Sequence, residues 1–289
     1  MTGLAYTGSK RIIWSFLSAL YVLVFLSCTA GNCLAGLQRE LDESEQTTKT
    51  IQLNAVSSAI VLTWGVLQWD YFQQSPKAES EEWFGRNTDD GGADKLGHMY
   101  ITYALTHLWD HLYRNLGSSP EGAARMGALS SLGVTGLMEL GDSFSNYGFS
   151  YEDMLMNLAG SALGYLMLNN DELARKIDFR VEYSLSNKND FESDVVTDYQ
   201  HLKYLFALKA DGFESINNRY LKYLELHLGY YSRGYNDWSE GALDERERTI
   251  YAGIGINVGK LIAPLWKNRI FEYVQIPHTY VSIENTFND

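Results

Sequence analysis

Hydrophobic positions recur with two different periods along the chain, and the change between them divides it into two halves. From Ile51 to about Leu173 the apolar residues follow helical spacing, with many Gly, Ala and Ser residues between them. From Phe179 onward apolar and polar residues alternate, which is typical of strands with one buried face. The pattern predicts an α+β protein in which an N-terminal helical bundle of about four helices precedes an antiparallel β-meander.

The helical half, predicted as one domain over residues 51–173, contains local signals for the ends of its helices. Ser119 stands before Pro120, which pairs a good N-cap residue with a proline at the first helical position. Ser150 and Asp153 have the spacing of a capping box. No segment of this half offers about 18 uninterrupted apolar residues, so a compact bundle is favoured over membrane spans. We expect helices near residues 51–74, 94–116, 120–142 and 151–169.

The strand half, residues 178–289, is predicted to form about five or six strands, as an antiparallel β-sheet or a partial barrel. A closed membrane barrel needs about 8 strands or more, which this length barely supplies. A curved sheet covering the helical bundle is the more economical interpretation. Aromatic residues on its outer face are typical both of a buried core and of a surface that contacts a membrane. Burial in the core is the simpler interpretation. His201, His227 and His278 are assigned to these strands without a convergent partner.

The N-terminus has the organisation of an export signal. Lys10 and Arg11 precede an uncharged apolar run over residues 12–26, which has the length of the apolar region of a secretory signal peptide. Cleavage after Ala35 would remove residues 1–35. The polar residues that follow, 36–50, predict a linker or a short solvated helix.

Two alternatives stay open for this N-terminal segment. Leu26-Ser27-Cys28 resembles the end of a lipoprotein signal, in which Cys28 becomes the lipidated first residue. Alternatively, the apolar run stays in place as an uncleaved anchor. Each alternative takes the bulk of the chain out of the cytoplasm, so we expect a periplasmic or outer-membrane-associated protein.

Composition and charge exclude several classes of function. There are 36 acidic and 23 basic residues, which give a net charge of −13. No basic stripe is visible, so no nucleic-acid partner is expected. The only cysteines in the sequence are Cys28 and Cys33, which rules out a four-cysteine zinc site. The sequence motifs of serine hydrolases, zinc proteases, P-loops and dinucleotide-binding domains are absent. The sequence leaves open whether the chain is an enzyme.

Three predicted helices contain pairs of polar residues that share a helix face. The partners stand three or four residues apart, which places both on one side of a helix. The pairs are Asp94 with His98, Glu139 with Asp142, and Asp153 with Asn157. We expect the three pairs to line one polar cavity between the helices.

Such a cavity suits three roles. Carboxylate oxygens and an imidazole nitrogen can bind a divalent metal, and the candidate ligands are Asp94, His98, Glu139 and Asp142. A carboxylate beside an imidazole can also perform acid–base catalysis, and the candidate residues are Asp94, Lys95, His98, Glu139, Asp142 and Asp153. The third role is a satisfied polar network that fixes helix packing. No cofactor is certain, and a divalent metal is the candidate.

A second histidine pair, His107 and His111, competes with this constellation. Two histidines four residues apart have a spacing that metal ligands use, but a lone pair is a weak signal. At about 100° per residue, both lie on the other side of the helix from Asp94. We expect them at the surface or at the seam between the two halves.

The order of these motifs resembles the YfiM-like family of predicted periplasmic lipoproteins and, more distantly, is similar to the VanZ-like membrane proteins. The matching residues are Asp94-Lys95-Leu96-Gly97-His98, Glu139-Leu140-Gly141-Asp142, Gly148-Phe149-Ser150-Tyr151-Glu152-Asp153 and the helix Asn157-Leu158-Ala159-Gly160-Ser161-Ala162-Leu163-Gly164-Tyr165. The resemblance covers about residues 88–168. It implies an envelope location and a helical domain, and it supplies no activity. The β-rich second half departs from the short members of the family.

Two functions follow as expectations. The first is a binding or structural role in the cell envelope, with a membrane surface or another envelope component as the partner. The alternative is an enzyme that acts on an envelope lipid or glycan through the Asp/His/Glu cluster, with or without a metal. The sequence does not predict an oligomeric state.

Overall fold

The structure, a computed structural model, describes residues 42–184, 197–235, 245–265 and 269–287. The predicted signal peptide, with Cys28, lies outside the described residues, as do residues 36–41 of the predicted linker. The predicted α+β class is confirmed, because long helices come first and a six-stranded sheet follows.

Four long helices form the first half: α1 (Glu43–Gln68), α2 (Ala93–Asn115), α3 (Pro120–Asp142) and α4 (Tyr151–Leu168). The last three agree with the predicted bounds to within one residue. Two of these starts are fixed by the expected caps. The Oγ atoms of Ser119 and Ser150 accept hydrogen bonds of 3.2 Å from the backbone N–H groups of Gly122 and Asp153.

The first helix differs from its predicted bounds at both ends. It starts at Glu43 because Asp42 Oδ1 accepts a hydrogen bond of 2.8 Å from the Glu45 N–H, so residues 43–50 are helical. It ends at Gln68 because Asp70 and Phe72 have φ angles of +56° and +66°, which no α-helix contains. Among the described helices, α1 is long and apolar enough, by length and composition, to cross a membrane.

The helices pack closely, with α2 in contact with both α3 and α4. A Cβ at Gly127 of α3 would stand 2.8 Å from the Thr106 carbonyl oxygen of α2. A Cβ at Gly160 of α4 would stand 2.1 Å from the Met99 carbonyl oxygen. Glycine at these two positions therefore allows the helix backbones to approach, as expected for a compact bundle.

The sheet has the order β5-β1-β2-β3-β4-β6. Its strands are β1 (Ile177–Tyr183), β2 (Leu202–Lys209), β3 (Leu224–Arg233), β4 (Glu247–Ile256), β5 (Val274–Gln275) and β6 (Tyr280–Phe287). Short helices stand before β1 (α5, Asp171–Lys176) and after β4 (α6, Val258–Ile262).

Strands β1 to β4 form the predicted antiparallel meander, but the sheet as a whole is mixed. After β4 the chain crosses to the opposite edge, where β5 pairs parallel with β1. A side-chain contact holds this two-residue strand, because Arg180 Nη1 donates to Gln275 Oε1 at 2.8 Å. Val258 continues the apolar alternation of β4 in the sequence, but it begins α6 because Asn257 Oδ1 accepts a hydrogen bond from the Lys260 N–H.

One face of the sheet covers α2, as the sequence predicts. Phe179 of β1 stacks on Phe206 of β2 with ring centroids 4.6 Å apart, and Tyr103 of α2 lies 5.7 Å from Phe179. The same face continues across β3 and β6, where Leu228 and Ile283 are 58% and 79% exposed.

The opposite face of the sheet contains a buried ionic network. Arg180 donates to Asp178 and Glu225, and His227 Nε2 lies 2.8 Å from Glu225 Oε1. The expectation that His227 has no partner is therefore wrong. Residues two positions apart share a strand face, which brings Glu225 and His227 together.

The other two histidines assigned to strands lie in turns instead. His201 Nδ1 stands 2.8 Å from Asp198 Oδ1, so it too has a partner. His278 has a φ of +63°, a left-handed turn conformation. His201 stands directly before β2 and His278 stands between β5 and β6, so both lie just outside the alternating residues.

Candidate functional site

The polar residues predicted to converge lie at one end of the bundle, where α2 and α4 begin and α3 ends. Two connecting segments, residues 69–92 and 143–150, close this end. They are joined to each other by a bridge between Ala78 and Phe149 and by the Lys77 N–H, which donates to the Ser143 carbonyl at 2.9 Å. The site is therefore assembled from three helix ends under a hydrogen-bonded cover.

Lys95 occupies the centre of the first group of charges. Its side chain is 1% exposed, and its Nζ lies 2.5 Å from Glu81, 2.7 Å from Asp94 and 2.9 Å from Asp153. Burial lowers the pKa of Lys95, but the attraction of the three carboxylates outweighs burial and raises this pKa well above its usual range. Lys95 is therefore a permanent cation that joins α2 to α4 and to the segment before α2.

His98, one helical turn after Asp94, lies between two other carboxylates. Its Nδ1 stands 3.2 Å from Glu139 Oε1 of α3, and its Nε2 stands 3.8 Å from Asp153 Oδ1 of α4. The imidazole side chain is 15% exposed, whereas the carboxylates are almost completely buried. His98 is thus the member of this group that solvent reaches.

Asn157 holds the Glu139 carboxylate in place. Asn157 Nδ2 donates to Glu139 Oε1 at 3.4 Å, and Asn157 Oδ1 accepts a hydrogen bond of 2.8 Å from Thr102 Oγ1. All three residues are buried. The chain of contacts fixes the amide so that its donor faces Glu139.

Burial and mutual repulsion shift the pKa values of the acids at this end of the bundle. Burial, with repulsion from Asp153 and Asp142, raises the pKa of Glu139 to about 9. Burial lowers the pKa of His98 to about 4, against the opposing attraction of Asp94. At neutral pH and without a bound cation, a proton therefore resides on Glu139 rather than on the imidazole.

Three further acids show the same excess of negative charge. Burial raises the pKa values of Glu81, Asp90 and Asp142 to about 7 each, and neighbouring carboxylates add to the effect. The carboxyl groups at this end of the bundle outnumber the ammonium group of Lys95. The site therefore favours binding of positive charge.

The described residues contain two groups with the donor atoms of a metal site. Within each group, one donor atom per residue lies within 4.8 Å of the others. The groups are His98 with Glu139 and Asp153, and Glu81 with Asp94 and Asp153. Lys95 Nζ lies within 2.9 Å of all three members of the second group, so its ammonium takes the place of a metal there. The first group, with one nitrogen and two carboxylate donors, suits a divalent transition metal.

Asp142 lies beside this group rather than in it. The Tyr71 hydroxyl interacts with Asp142 and donates to the Met138 carbonyl at 2.9 Å. Of the four metal ligands predicted from the sequence, His98 and Glu139 belong to the first group, whereas Asp94 and Asp142 do not. Asp153 is the third donor of that group.

The competing histidine pair lies away from the site. His107 is buried between Tyr103 of α2 and Tyr273, which precedes β5, with ring centroids 4.7 and 5.5 Å away. His111 is exposed, and its Nε2 lies 3.1 Å from Asn115 Nδ2. The pair occupies the seam and the surface, as the helical rotation predicts.

Four residues at the site were not predicted from the sequence. Tyr71, Glu81 and Asp90 belong to the segment between α1 and α2, and Thr102 is a helical residue without a charge. Glu81 lies in a run of polar residues that has no period, so no pattern distinguished it from its neighbours. For Thr102 the signal was available, since it lies four residues after His98 on the same helix face.

The fold and the site define a helical domain with a buried carboxylate–imidazole centre, joined to a mixed six-stranded sheet. Residues 80–169 match the family described as "Predicted periplasmic lipoprotein (DUF2279)". No curated protein and no solved structure matches the chain. The matched stretch contains Glu81 and all six predicted site residues, and it supports assignment to the cell envelope. The narrower likeness to YfiM-like and VanZ-like proteins stays a prediction.

Proposed function

We propose that this chain is an exported envelope protein whose helical half binds a divalent cation through His98, Glu139 and Asp153. The observation that supports it is the convergence of three donors from α2, α3 and α4 within 4.8 Å. The neighbouring group, Glu81 with Asp94 and Asp153, already holds the ammonium of Lys95. Of the three donors, Asp153 also contacts a basic side chain, that of Lys95 at 2.9 Å. A bound dication would join the ends of three helices.

The proposed location is the periplasmic side of a membrane, with Cys28 as a lipid anchor. The Leu26-Ser27-Cys28 sequence and the match to a predicted lipoprotein family support this anchor. Association with the outer membrane belongs to the same proposal. In this role the protein binds or organises an envelope component, and the cation stabilises the part of the bundle that carries the site.

Metal analysis of the purified mature protein tests the cation site. We expect about one equivalent of a divalent transition metal, and we expect the melting temperature to fall when a chelator removes it. His98→Asn and Glu139→Gln should abolish both the metal and the effect of the chelator. Asp142→Asn is the matched control, because it removes a nearby buried acid and leaves the three donors intact.

Two results would contradict the proposal. One is a wild-type protein that binds no metal and gains no stability from added zinc, manganese, magnesium or calcium. The other is a His98→Asn variant that keeps the same metal content as the wild type. Loss of metal in Asp142→Asn, with retention in Glu139→Gln, would instead favour the ligand set predicted from the sequence.

A second candidate function is acid–base catalysis on an envelope lipid or glycan. The observation that favours it is the position of His98, which has a different carboxylate at each ring nitrogen and a solvent-accessible edge. Such an imidazole can exchange a proton with a hydroxyl or a water molecule at its solvent-accessible edge. Incubation with fluorescent phospholipid vesicles and with purified peptidoglycan tests it. Product formed by the wild type and by Asp142→Asn, but not by His98→Asn, would support catalysis; no product from either substrate would refute it.

A further inference from the structure

The half of the sheet formed by β3, β4 and β6 extends beyond the helical bundle. Tyr103 of α2 packs on Phe179 of β1, which marks the face of the sheet that the bundle covers. Paired residues of neighbouring strands lie on one face, so this face can be followed from β1 to β6. Beyond β2 it carries large aliphatic side chains that are about half exposed or more. We name this surface the overhang face and define it by Leu226 and Leu228 of β3, Ile254 and Ile256 of β4, and Val281 and Ile283 of β6.

The strand register makes the overhang face one continuous surface. Ile254 lies directly between Leu226 and Val281 of the neighbouring strands, and adjacent strands stand about 4.8 Å apart. Leu228 and Ile283 belong to the next row on the same face. From their exposed fractions, the six residues present roughly 700 Å² to solvent, close to the about 800 Å² that each partner contributes to a stable protein interface.

The helical bundle stands on the same face of the sheet, so the overhang face lies in a recess beside it. α2 lies against β1 and β2, and α3 and α4 pack on α2. Two helix layers rise about 20 Å above the sheet. A bilayer that reached the overhang face would therefore enclose the bundle to a greater depth than one hydrocarbon leaflet of about 15 Å. It would enclose the ion pairs of Lys95 and of Arg114, and burial of such charges in hydrocarbon is costly.

β6 is an open edge of the sheet, and this edge also disfavours a membrane. β6 pairs with β4 over eight residue pairs without a bulge and pairs with no other described strand. It contains no Pro, Lys or Arg, which protect many edge strands, whereas the opposite edge strand, β5, is protected by being only two residues long. The unpaired backbone groups of β6 need water or protein beside them, and hydrocarbon supplies neither.

A second copy of the chain fits both the recessed face and the open edge. Two sheets pack face to face about 10 Å apart, which is also the thickness of one helix layer. The partner's sheet can therefore lie over the overhang face at the level that α2 occupies over β1 and β2. The bundle blocks arrangements that place the partner's β1 and β2 above those of the first copy, so the two-fold axis runs approximately along the strands. Each β6 edge then lies beside the partner's bundle, and helices are among the elements that cover sheet edges in natural proteins.

We infer that the chain forms a two-fold symmetric homodimer in which the two overhang faces pack on each other. The interface has an aliphatic centre, and Glu284 and Asn285 of β6 stand at its margin, as in the polar rim of protein interfaces. The inference goes beyond the proposed function and does not depend on the cation site. None of the six residues lies on α2, α3 or α4, which supply the three donors.

Light scattering after size-exclusion chromatography tests the inference on the mature chain, expressed from residue 36 without acyl chains. We expect the mass of a dimer rather than the mass of one chain. Flotation with phosphatidylcholine vesicles tests the other occupant, and we expect the dimer to stay at the bottom of the gradient. A wild type that remains monomeric at the highest concentration it reaches would overturn the inference, whether or not it floats.

Paired variants locate the interface. Ile254→Glu with Ile283→Glu places two charges on the overhang face, and the dissociation constant of the dimer should rise at least about 100-fold, because these charges would be buried without partners. Ile51→Glu with Val56→Glu is the matched control on α1, which packs on α3 rather than on the sheet. Both control side chains are more than half exposed, and their replacement should change the dissociation constant less than about twofold. Equal weakening by both pairs, or by neither, would refute the assignment.

A milder pair keeps the test independent of folding. Ile254→Thr with Ile283→Thr retains the β-branched side chains that suit strands, removes apolar surface, and should weaken the dimer at least about tenfold. The circular dichroism spectrum and the metal content of this pair should match those of the wild type, so a lost interface is distinct from unfolding and from a lost cation site. A folded threonine pair that dimerises as tightly as the wild type would overturn the inference.

Discussion

Replacement of Lys95 by methionine removes the central cation of a buried group and keeps most of its volume. Three carboxylates stand within 2.9 Å of its Nζ. Removing one partner of a buried ion pair costs about 3–5 kcal/mol, because the remaining charge is left without compensation. Glu81 is 30% exposed and Asp94 is 15% exposed, so water screens part of the repulsion. We therefore expect the lower end of the range, about 3 kcal/mol.

Chemical and thermal unfolding measure this loss. For a domain of this size, about 3 kcal/mol corresponds to a decrease in melting temperature of roughly 6–12 °C. Lys77→Met is the matched control. Its Nζ lies 2.7 Å from Glu79, but the two side chains are 42% and 56% exposed, and such pairs contribute less than about 1 kcal/mol.

Acidification provides a second readout of the same variant. Without Lys95, the repulsion among the three carboxylates is no longer offset, and a proton taken up by one of them relieves it, so protonation stabilises the folded state. The deficit of Lys95→Met relative to the wild type should therefore shrink as the pH falls from about 7 to about 5. A deficit that grows on acidification, or a stability equal to that of Lys77→Met at neutral pH, would refute the reasoning.

Three other predictions concern the seam, the helix contacts and the N-terminus. Burial lowers the pKa of His107 to about 3, so the unfolded chain takes up a proton near pH 6.5 and the folded chain does not. When the pH is lowered from 7.5 to 5.5, the free energy of unfolding of the wild type, measured by urea denaturation, should therefore fall by about 1.4 kcal/mol more than that of His107→Phe. Gly160→Ala should lower the melting temperature strongly because of the Met99 carbonyl, whereas Gly133→Ala, which has open space, should raise it slightly. Cys28→Ser should release the chain from membranes in cell fractionation if Cys28 is lipidated, and unchanged fractionation would remove the lipoprotein interpretation.

The helices could be predicted from the sequence because their boundaries depend on contacts within a few residues. Ser119 and Ser150 cap the helices that they were expected to cap, and both act on N–H groups three residues ahead. The end of α1 could not be predicted in this way. It depends on the left-handed conformations of Asp70 and Phe72, and phenylalanine has no preference for that conformation that a sequence pattern could show.

The candidate site, like the helices, could be predicted where it depends on residues close together in the sequence. Residues on one helix face, such as Asp94 and His98, could be paired by spacing alone. The assignment of partners across helices failed in detail, because spacing fixes a direction on one helix and not the distance to another. Glu81 and the parallel pairing of β5 show the same limit, since both depend on where a connecting segment crosses in three dimensions.

Asp153 connects the stability of the domain to the chemistry of the site. Its backbone N–H is held by the Ser150 cap, which fixes the first turn of α4 and the direction of the side chain. Its Oδ1 then lies 2.9 Å from Lys95 Nζ and 3.8 Å from His98 Nε2. One oxygen therefore belongs to both carboxylate groups, and a cation bound beside His98 would compete with Lys95 for it. Because Lys95 keeps Asp94 and Glu81 as partners, it can share this oxygen without being left unpaired, which allows a fixed ammonium and a bound cation to occupy the same end of one bundle.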